Sequence, residues 1–211
     1  MHHSKKQLAL QPFFHMEKII FLHGFFASGS CPLAQTLRQE LKDTVLVLSP
    51  DLPLHPDQAL DKIRQLCLAE CPRLLVGNSC GSFYAQLISQ STGLPALLGN
   101  PHFAMTRFLS DRIGDHEYKS PRKDGRQQFS ITPQLVTEFA RLEAKQFDAI
   151  PPHQRENIWG LFGTQDTLAH FEPLFLQYYS HSFHFPGAHT PTTEEVRQWY
   201  VPLIKKMLER P

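Results

Sequence analysis

The sequence predicts an α/β protein, a three-layer α/β/α sandwich around a mainly parallel central sheet, with a small lid-like insertion. Three observations carry this. Apolar runs of strand length alternate with amphipathic helical stretches along the chain, the pattern of βαβ units. A glycine-flanked turn at residues 77–81 takes an apolar strand directly into a helix. No internal repeat or transmembrane-length apolar run interrupts the alternation.

The elements follow in order. Residues 18–22 are a strand ending in His23-Gly24. Residues 32–41 form a helix with Leu33, Leu37 and Leu41 on one face. The strand 45–48 is closed by Ser49-Pro50-Asp51-Leu52-Pro53, and Asp57 is expected to cap a helix with Leu60, Ile63 and Cys67 on one stripe. Residues 73–76 are a buried strand and 81–88 a helix packed close to it. Residues 94–98 give a further strand, stopped at Gly99-Asn100-Pro101.

From 102 to 152 the pattern changes to a charged stretch containing Asp111-Arg112 and the run 119–124, with one helix expected over 134–144 after Ile131-Thr132-Pro133. A long excursion between two strands is usually functional or mobile, and this one is positioned to roof a pocket beside Ser79. The sheet resumes at 157–162, followed by Gly163-Thr164-Gln165-Asp166. Residues 171–179 read as helix, and 182–185 as the last strand, ending in Pro186-Gly187-Ala188-His189. Thr192 and Glu195 read as a capping box. The helix they open runs to about Glu209 and buries Val196, Tyr200, Ile204 and Met207.

A chain of 211 residues allows one full core, so residues 16–211 are expected to be a single domain. Residues 1–15 are expected to be a disordered extension. Their apolar stretch faintly suggests a signal peptide, but Gln11 and Pro12 interrupt it and no small-residue cleavage site follows. His2 and His3 are weak metal candidates. A net charge of +1 points away from nucleic acid and acidic membranes. Cys31, Cys67, Cys71 and Cys80 show neither a disulfide framework nor a zinc spacing, so reduced thiols, no metal and a cytoplasmic location are expected.

The chemistry gathers at the predicted C-terminal ends of the strands, where sites form in open parallel sheets. Gly77-Asn78-Ser79-Cys80-Gly81 is a nucleophile elbow: a sharp turn that holds Ser79 in the open, with glycines where side chains would collide. Serine needs a base to take its proton. His189, in the loop after the last strand, is the candidate; His170, His181 and His184 are rivals, and His184 reads better as a structural histidine. Asp166 is the candidate to orient that base, with an acid near Asp111 or Asp115 as the rival. The oxyanion donors are the backbone N–H groups of Cys80 and Phe25, with Phe26 second to Phe25. His23, Phe26 and Phe103 are candidate substrate contacts. The Cys80 thiol reads as a packing group.

With Phe21-Leu22-His23-Gly24-Phe25, the elbow and its following Ser82-Phe83-Tyr84-Ala85, Gly99-Asn100-Pro101, Gly163-Thr164-Gln165-Asp166 and Gly187-Ala188-His189, the chain from Lys18 onward resembles the α/β-hydrolase superfamily. The chain order Ser79, Asp166, His189 is that superfamily's. More narrowly it resembles the small bacterial YqiA-type esterases. Cys80-Gly81-Ser82 departs from the Leu-Gly-Gly expected there. The resemblance implies a small lid rather than a large cap, hydrolysis of carboxylic esters or thioesters, and no cofactor. The expected partner is a small-molecule ester, with no nucleic acid and no membrane; the sequence leaves the oligomeric state open. A non-catalytic protein binding an apolar ligand on the same fold is the alternative. A lipase acting at lipid surfaces is disfavoured because the sequence shows no strongly apolar amphipathic lid and no signal peptide, and a dehalogenase because that branch usually carries an aspartate at the position of Ser79.

Overall fold

The computed structural model describes residues 16–148 and 150–210, and the expectations for residues 1–15 lie outside them. Strands and helices alternate as β1 (Glu17–Leu22), α1 (Pro32–Leu41), β2 (Val45–Leu48), α2 (Pro56–Glu70), β3 (Leu74–Asn78), α3 (Cys80–Thr92) and β4 (Ala96–Gly99). The insertion follows with α4 (Met105–Ser110), β5 (Gly114–Glu117), β6 (Gln128–Ile131) and α5 (Pro133–Glu143). The sheet resumes through α6 (Gln154–Asn157), β7 (Ile158–Gly163), α7 (Glu172–Phe175) and β8 (His181–Phe185). The chain then passes through α8 (Thr193–Glu195), a π-helical turn at Val196–Tyr200 and α9 (Val201–Leu208).

Six strands pair in the order β2-β1-β3-β4-β7-β8, every pair parallel. The pleat sends successive side chains to opposite faces. Ile20, Leu22, Leu75 and Leu98 enter one core, beneath α2, α3 and the insertion. Ile19, Phe21, Leu74, Val76 and Leu97 enter the other, beneath α1 and the C-terminal helix. Helices on both faces explain why β1, β3, β4 and β7 read as continuous apolar runs, whereas the edge strand β8 alternates. The three-layer expectation holds.

Local departures have physical causes. Asp57 does not cap α2: Pro56 starts the helix, His55 occupies the cap position with its ring turned to Glu138 rather than to the helix N–H groups, and Asp57 falls in the first turn, paired with Arg141. A proline at the first helical position supplies the right φ and needs no donor. The stretch expected as a helix over 171–179 is one α turn, Glu172–Phe175, followed by further turns. There the Tyr179 hydroxyl accepts from Gln86 Nε2 at 2.9 Å inside the core, which fixes the departing chain.

The final helix is not uniform. The Val201 N–H donates to Val196 O, five residues back, rather than four. Pro202 contributes no N–H to the next turn, and the widened segment buries Tyr200 completely. The capping box at Thr192 and Glu195 is present.

The insertion holds more regular structure than its charge pattern suggests. β5 and β6 form an antiparallel hairpin whose exposed positions carry Asp115, Glu117 and Gln128. Buried polar ties fasten it to the body. The Ser28 N–H donates to Ser120 Oγ at 2.8 Å, and the two hydroxyls meet at 2.9 Å. Asp51, 7 % exposed, accepts from the Gly29 and Lys123 N–H groups. Arg122 donates to the Leu52 carbonyl.

Candidate active site

β3 runs into α3 through Ser79, whose φ of 57° and ψ of −123° lie outside the ordinary regions for a non-glycine residue. Such a conformation costs on the order of 1–3 kcal/mol and persists only where the surroundings impose it. Here they do. A Cβ on Gly77 would stand 2.5 Å from the Gly81 backbone, and one on Gly81 would overlap the Leu22 carbonyl of β1. The Ser79 N–H donates to Gly99 O at 3.0 Å, and Ser82 Oγ donates to the same carbonyl, binding the elbow to the end of β4. Asn78 is fixed from the other face by the Tyr200 hydroxyl at 2.8 Å.

Ser79 Oγ lies 2.8 Å from His189 Nε2, and His189 Nδ1 lies 2.7 Å from Asp166 Oδ2. An ionised carboxylate only accepts, so Nδ1 carries the proton and Nε2 is free to accept from the serine hydroxyl. Asp166 is 5 % exposed. Burial alone would raise its pKa, but the bond from His189 and the N–H groups of Leu168 and Ala169 outweigh it and hold the carboxyl below its usual range. The fold thus brings the three sequence-predicted side chains into one hydrogen-bonded chain. Their rivals sit elsewhere: His184 pairs with Glu172, His181 with Glu156, and Asp115 accepts from Ser130 in the hairpin.

The loop after β1 passes beside the serine. A Cβ on Gly24 would stand 3.9 Å from Ser79 Oγ, in the space an approaching carbonyl needs. Among the described residues, no hydrogen bond to a protein acceptor engages the N–H of Phe25 or of Cys80. The Cys80 thiol is buried, and burial pushes its pKa up, as befits a packing group.

A cavity of about 200 Å³ opens on Ser79 and His189. Its walls include Phe25, Phe26, Phe108, Leu33 and Leu168, and Lys119 is at its edge. Phe26 packs edge-on against Phe108 of α4 and tilted against Phe129 of β6, so the insertion supplies part of the wall. Phe108 carried no sequence signal beyond membership of a charged segment.

Two expected substrate contacts are corrected. Phe103 is 1 % exposed, packs against Phe147 and Phe171, and does not line the cavity. It belongs to the core beneath α2, α3 and the insertion. His23 is also buried away from the cavity. Its Nδ1 donates to Gly24 O at 2.9 Å and its Nε2 accepts from the Leu52 N–H at 3.0 Å, so it ties the β1 loop to the loop after β2. Burial lowers its pKa to about 4, which keeps the ring neutral and both bonds intact at pH 7.

His102 escaped the sequence reading. It is 5 % exposed, its ring lies between Phe108 and Phe171, and its Nδ1 has no partner among the described residues. Burial, with His189 nearby, lowers its pKa to about 4.

Comparison with known proteins gives a matching family model and solved structures of similar fold. The model of the uncharacterised protein family UPF0227 matches residues 18–182, a span that holds Ser79 and Asp166 and ends before His189. The structure is similar to Est1E from Butyrivibrio proteoclasticus, with a TM-score of 0.68, 13% identity, and coverage of 92% of this chain and 89% of that one. It is similar to a monoacylglycerol lipase of Paleococcus ferrophilus, with a TM-score of 0.65, 13% identity, and coverage of 90% and 93%. The esterase domain of a Rhodothermus marinus protein gives a TM-score of 0.65 and 17% identity over 93% and 89%.

Proposed function

The chain belongs to the uncharacterised protein family UPF0227, and from that premise we propose that it is a member of the α/β-hydrolase superfamily and a serine hydrolase cleaving small carboxylic esters or thioesters. Ser79 attacks the ester carbonyl while His189 Nε2 takes its proton. Asp166 holds the imidazole in the competent tautomer and stabilises the imidazolium as it forms. The N–H groups of Phe25 and Cys80 receive the negative charge that develops on the carbonyl oxygen. His189 returns the proton to the leaving group, and water activated by the same imidazole then releases the acid from the acyl-enzyme.

The observation that carries this reading is the unbroken chain from Asp166 through His189 to Ser79, at 2.7 and 2.8 Å, at the mouth of an apolar cavity. Likeness to solved esterases and a lipase supports the reaction class. The cavity walls favour a small apolar group on one side of the ester. Residues 102–152 act in this reading as the roof of the cavity.

Labelling with a fluorophosphonate, read by intact mass, tests the proposal. One adduct on the wild type and none on Ser79→Ala is the expected result. A folded wild type that takes no adduct overturns it and leaves a non-catalytic apolar-ligand binder as the alternative.

A further inference from the structure

The hydrolase reading leaves the motif Gly99-Asn100-Pro101 unused, yet Asn100 is at the junction of everything that reading requires. It follows the last residue of β4 with a φ of 39°, in the left-handed region that asparagine tolerates better than most residues. It is 1 % exposed. Its own N–H donates to Leu161 O at 2.8 Å, continuing the pairing of β4 with β7.

The side chain then spans two loops. Asn100 Oδ1 accepts from the Gly163 N–H at 2.7 Å, at the root of the loop that carries Asp166. Asn100 Nδ2 donates to Ala188 O at 2.9 Å and to His189 O at 3.0 Å, in the loop that carries the imidazole. Both amide protons and the amide oxygen are thereby engaged. The preceding residue, Gly99, accepts the Ser79 N–H. One tight corner thus sets the spacing of the serine, the carboxylate and the imidazole, while the Asn100 side chain does not line the cavity.

The two loops also touch directly. The Gln165 N–H donates to Gly187 O at 2.9 Å, and a Cβ on Gly163 would clash with Gly187 O. Those contacts press the loops together. The Asn100 amide differs because it grips the carbonyl of His189 itself, and so sets where the ring root stands relative to Ser79 Oγ.

We infer that Asn100 is a positioning residue for the Ser79–His189–Asp166 chain: its amide clamps the acid loop to the base loop and holds the imidazole in register with the elbow serine. The inference rests on the hydrolase reading above. Asparagine is required because only a side-chain amide can accept from one loop and donate twice to the other from this short reach. Aspartate has the same shape and keeps the acceptor, but it presents a carboxylate to two carbonyls. Displacement of a reacting group by about 1 Å costs on the order of 10²-fold in rate.

Two variants separate this role from simple stability. Asn100→Gly removes the clamp while satisfying the positive φ, and Asn100→Asp preserves the volume. Both are measured for kcat and KM on a small neutral ester, for the rate of fluorophosphonate labelling, and by proton NMR for the far-downfield ring N–H of a histidine bonded to a carboxylate. The expected result is a fall in kcat and labelling rate of on the order of 10²-fold with KM changed less than about threefold, and loss or upfield movement of that resonance. If either folded variant keeps its kcat within about threefold of the wild type, or keeps the wild-type resonance, the positioning role is overturned. A wild type whose Ser79 takes no phosphonate overturns the hydrolase reading itself. A labelled wild type with full-rate variants overturns only the clamp.

Discussion

Acidification from pH 7 to pH 5 should destabilise this fold through two histidines. His23 and His102 are 3 % and 5 % exposed, and burial lowers each from 6.5 to about 4. A depressed histidine is neutral in the native state and protonates first in the unfolded chain. Between the two pKa values the unfolded state binds more protons, so stability falls as pH falls. For a drop from 6.5 to about 4, each ring loses about 2 kcal/mol between pH 7 and pH 5, and the pair about 4 kcal/mol. That is a large fraction of the ~5–15 kcal/mol by which domains are stable. Asp166 does not confuse this window: its carboxyl is held low, so its contribution is lost only as pH falls below the ordinary carboxylate range. With a urea m-value of about 2 kcal/mol/M, the unfolding midpoint should drop by about 2 M. His102→Phe places an apolar ring between Phe108 and Phe171 and should halve the drop. Urea unfolding of both proteins at the two pH values is the assay. A wild-type midpoint unmoved at pH 5, or an equal drop in His102→Phe, refutes the reasoning.

Three further outcomes are expected. Gly81→Ala drives a Cβ into the Leu22 carbonyl, and because backbone must yield, it should cost about 3 kcal/mol or prevent folding, seen in thermal melts. Tyr200→Phe leaves the buried Asn78 Oδ1 without its donor, and should lower stability by about 1–3 kcal/mol with most fluorophosphonate labelling retained. Ser120→Ala removes the acceptor for the Ser28 N–H. It should speed hydrogen exchange and proteolysis in residues 118–127 at least severalfold while leaving the six-stranded sheet protected.

The sheet and the polar chain were legible because both leave one-dimensional marks. The central strands β1, β3, β4 and β7 carry apolar runs closed by glycine or asparagine, as buried parallel strands do. Ser79 and Asp166 follow such runs and His189 follows the aromatic edge strand β8, so strand ends and chain order mark all three. The hairpin β5–β6 left no such mark. Its positions Gly114, Asp115, His116 and Glu117 alternate in exposure but hold no aliphatic residue, and the face it packs is closed by His116 and Phe129 against Phe26. The errors at His23 and Phe103 have a common origin. Adjacency in sequence to a candidate site loop does not decide which way a side chain turns, and both side chains are buried. Asn100 was visible only as a strand stop, because its three bonds go to residues 63 to 89 positions away.

The π turn at Val196–Tyr200 sets a limit on how this chain tolerates changes in length. An α-helix advances about 100° per residue, and a five-residue spacing absorbs one residue beyond the regular winding. Everything after it is phased to that surplus: Ile204 and Met207 are buried against the sheet, while Lys205 and Lys206 face outward. Deleting a single residue from the turn would let the helix wind regularly, yet it would rotate the last two turns by about 100° and exchange buried methyl groups for ammonium groups. The local irregularity is thus a fixed count of residues between Tyr200, anchored on Asn78, and the hydrophobic terminus, and shortening that count is more damaging than most substitutions within it.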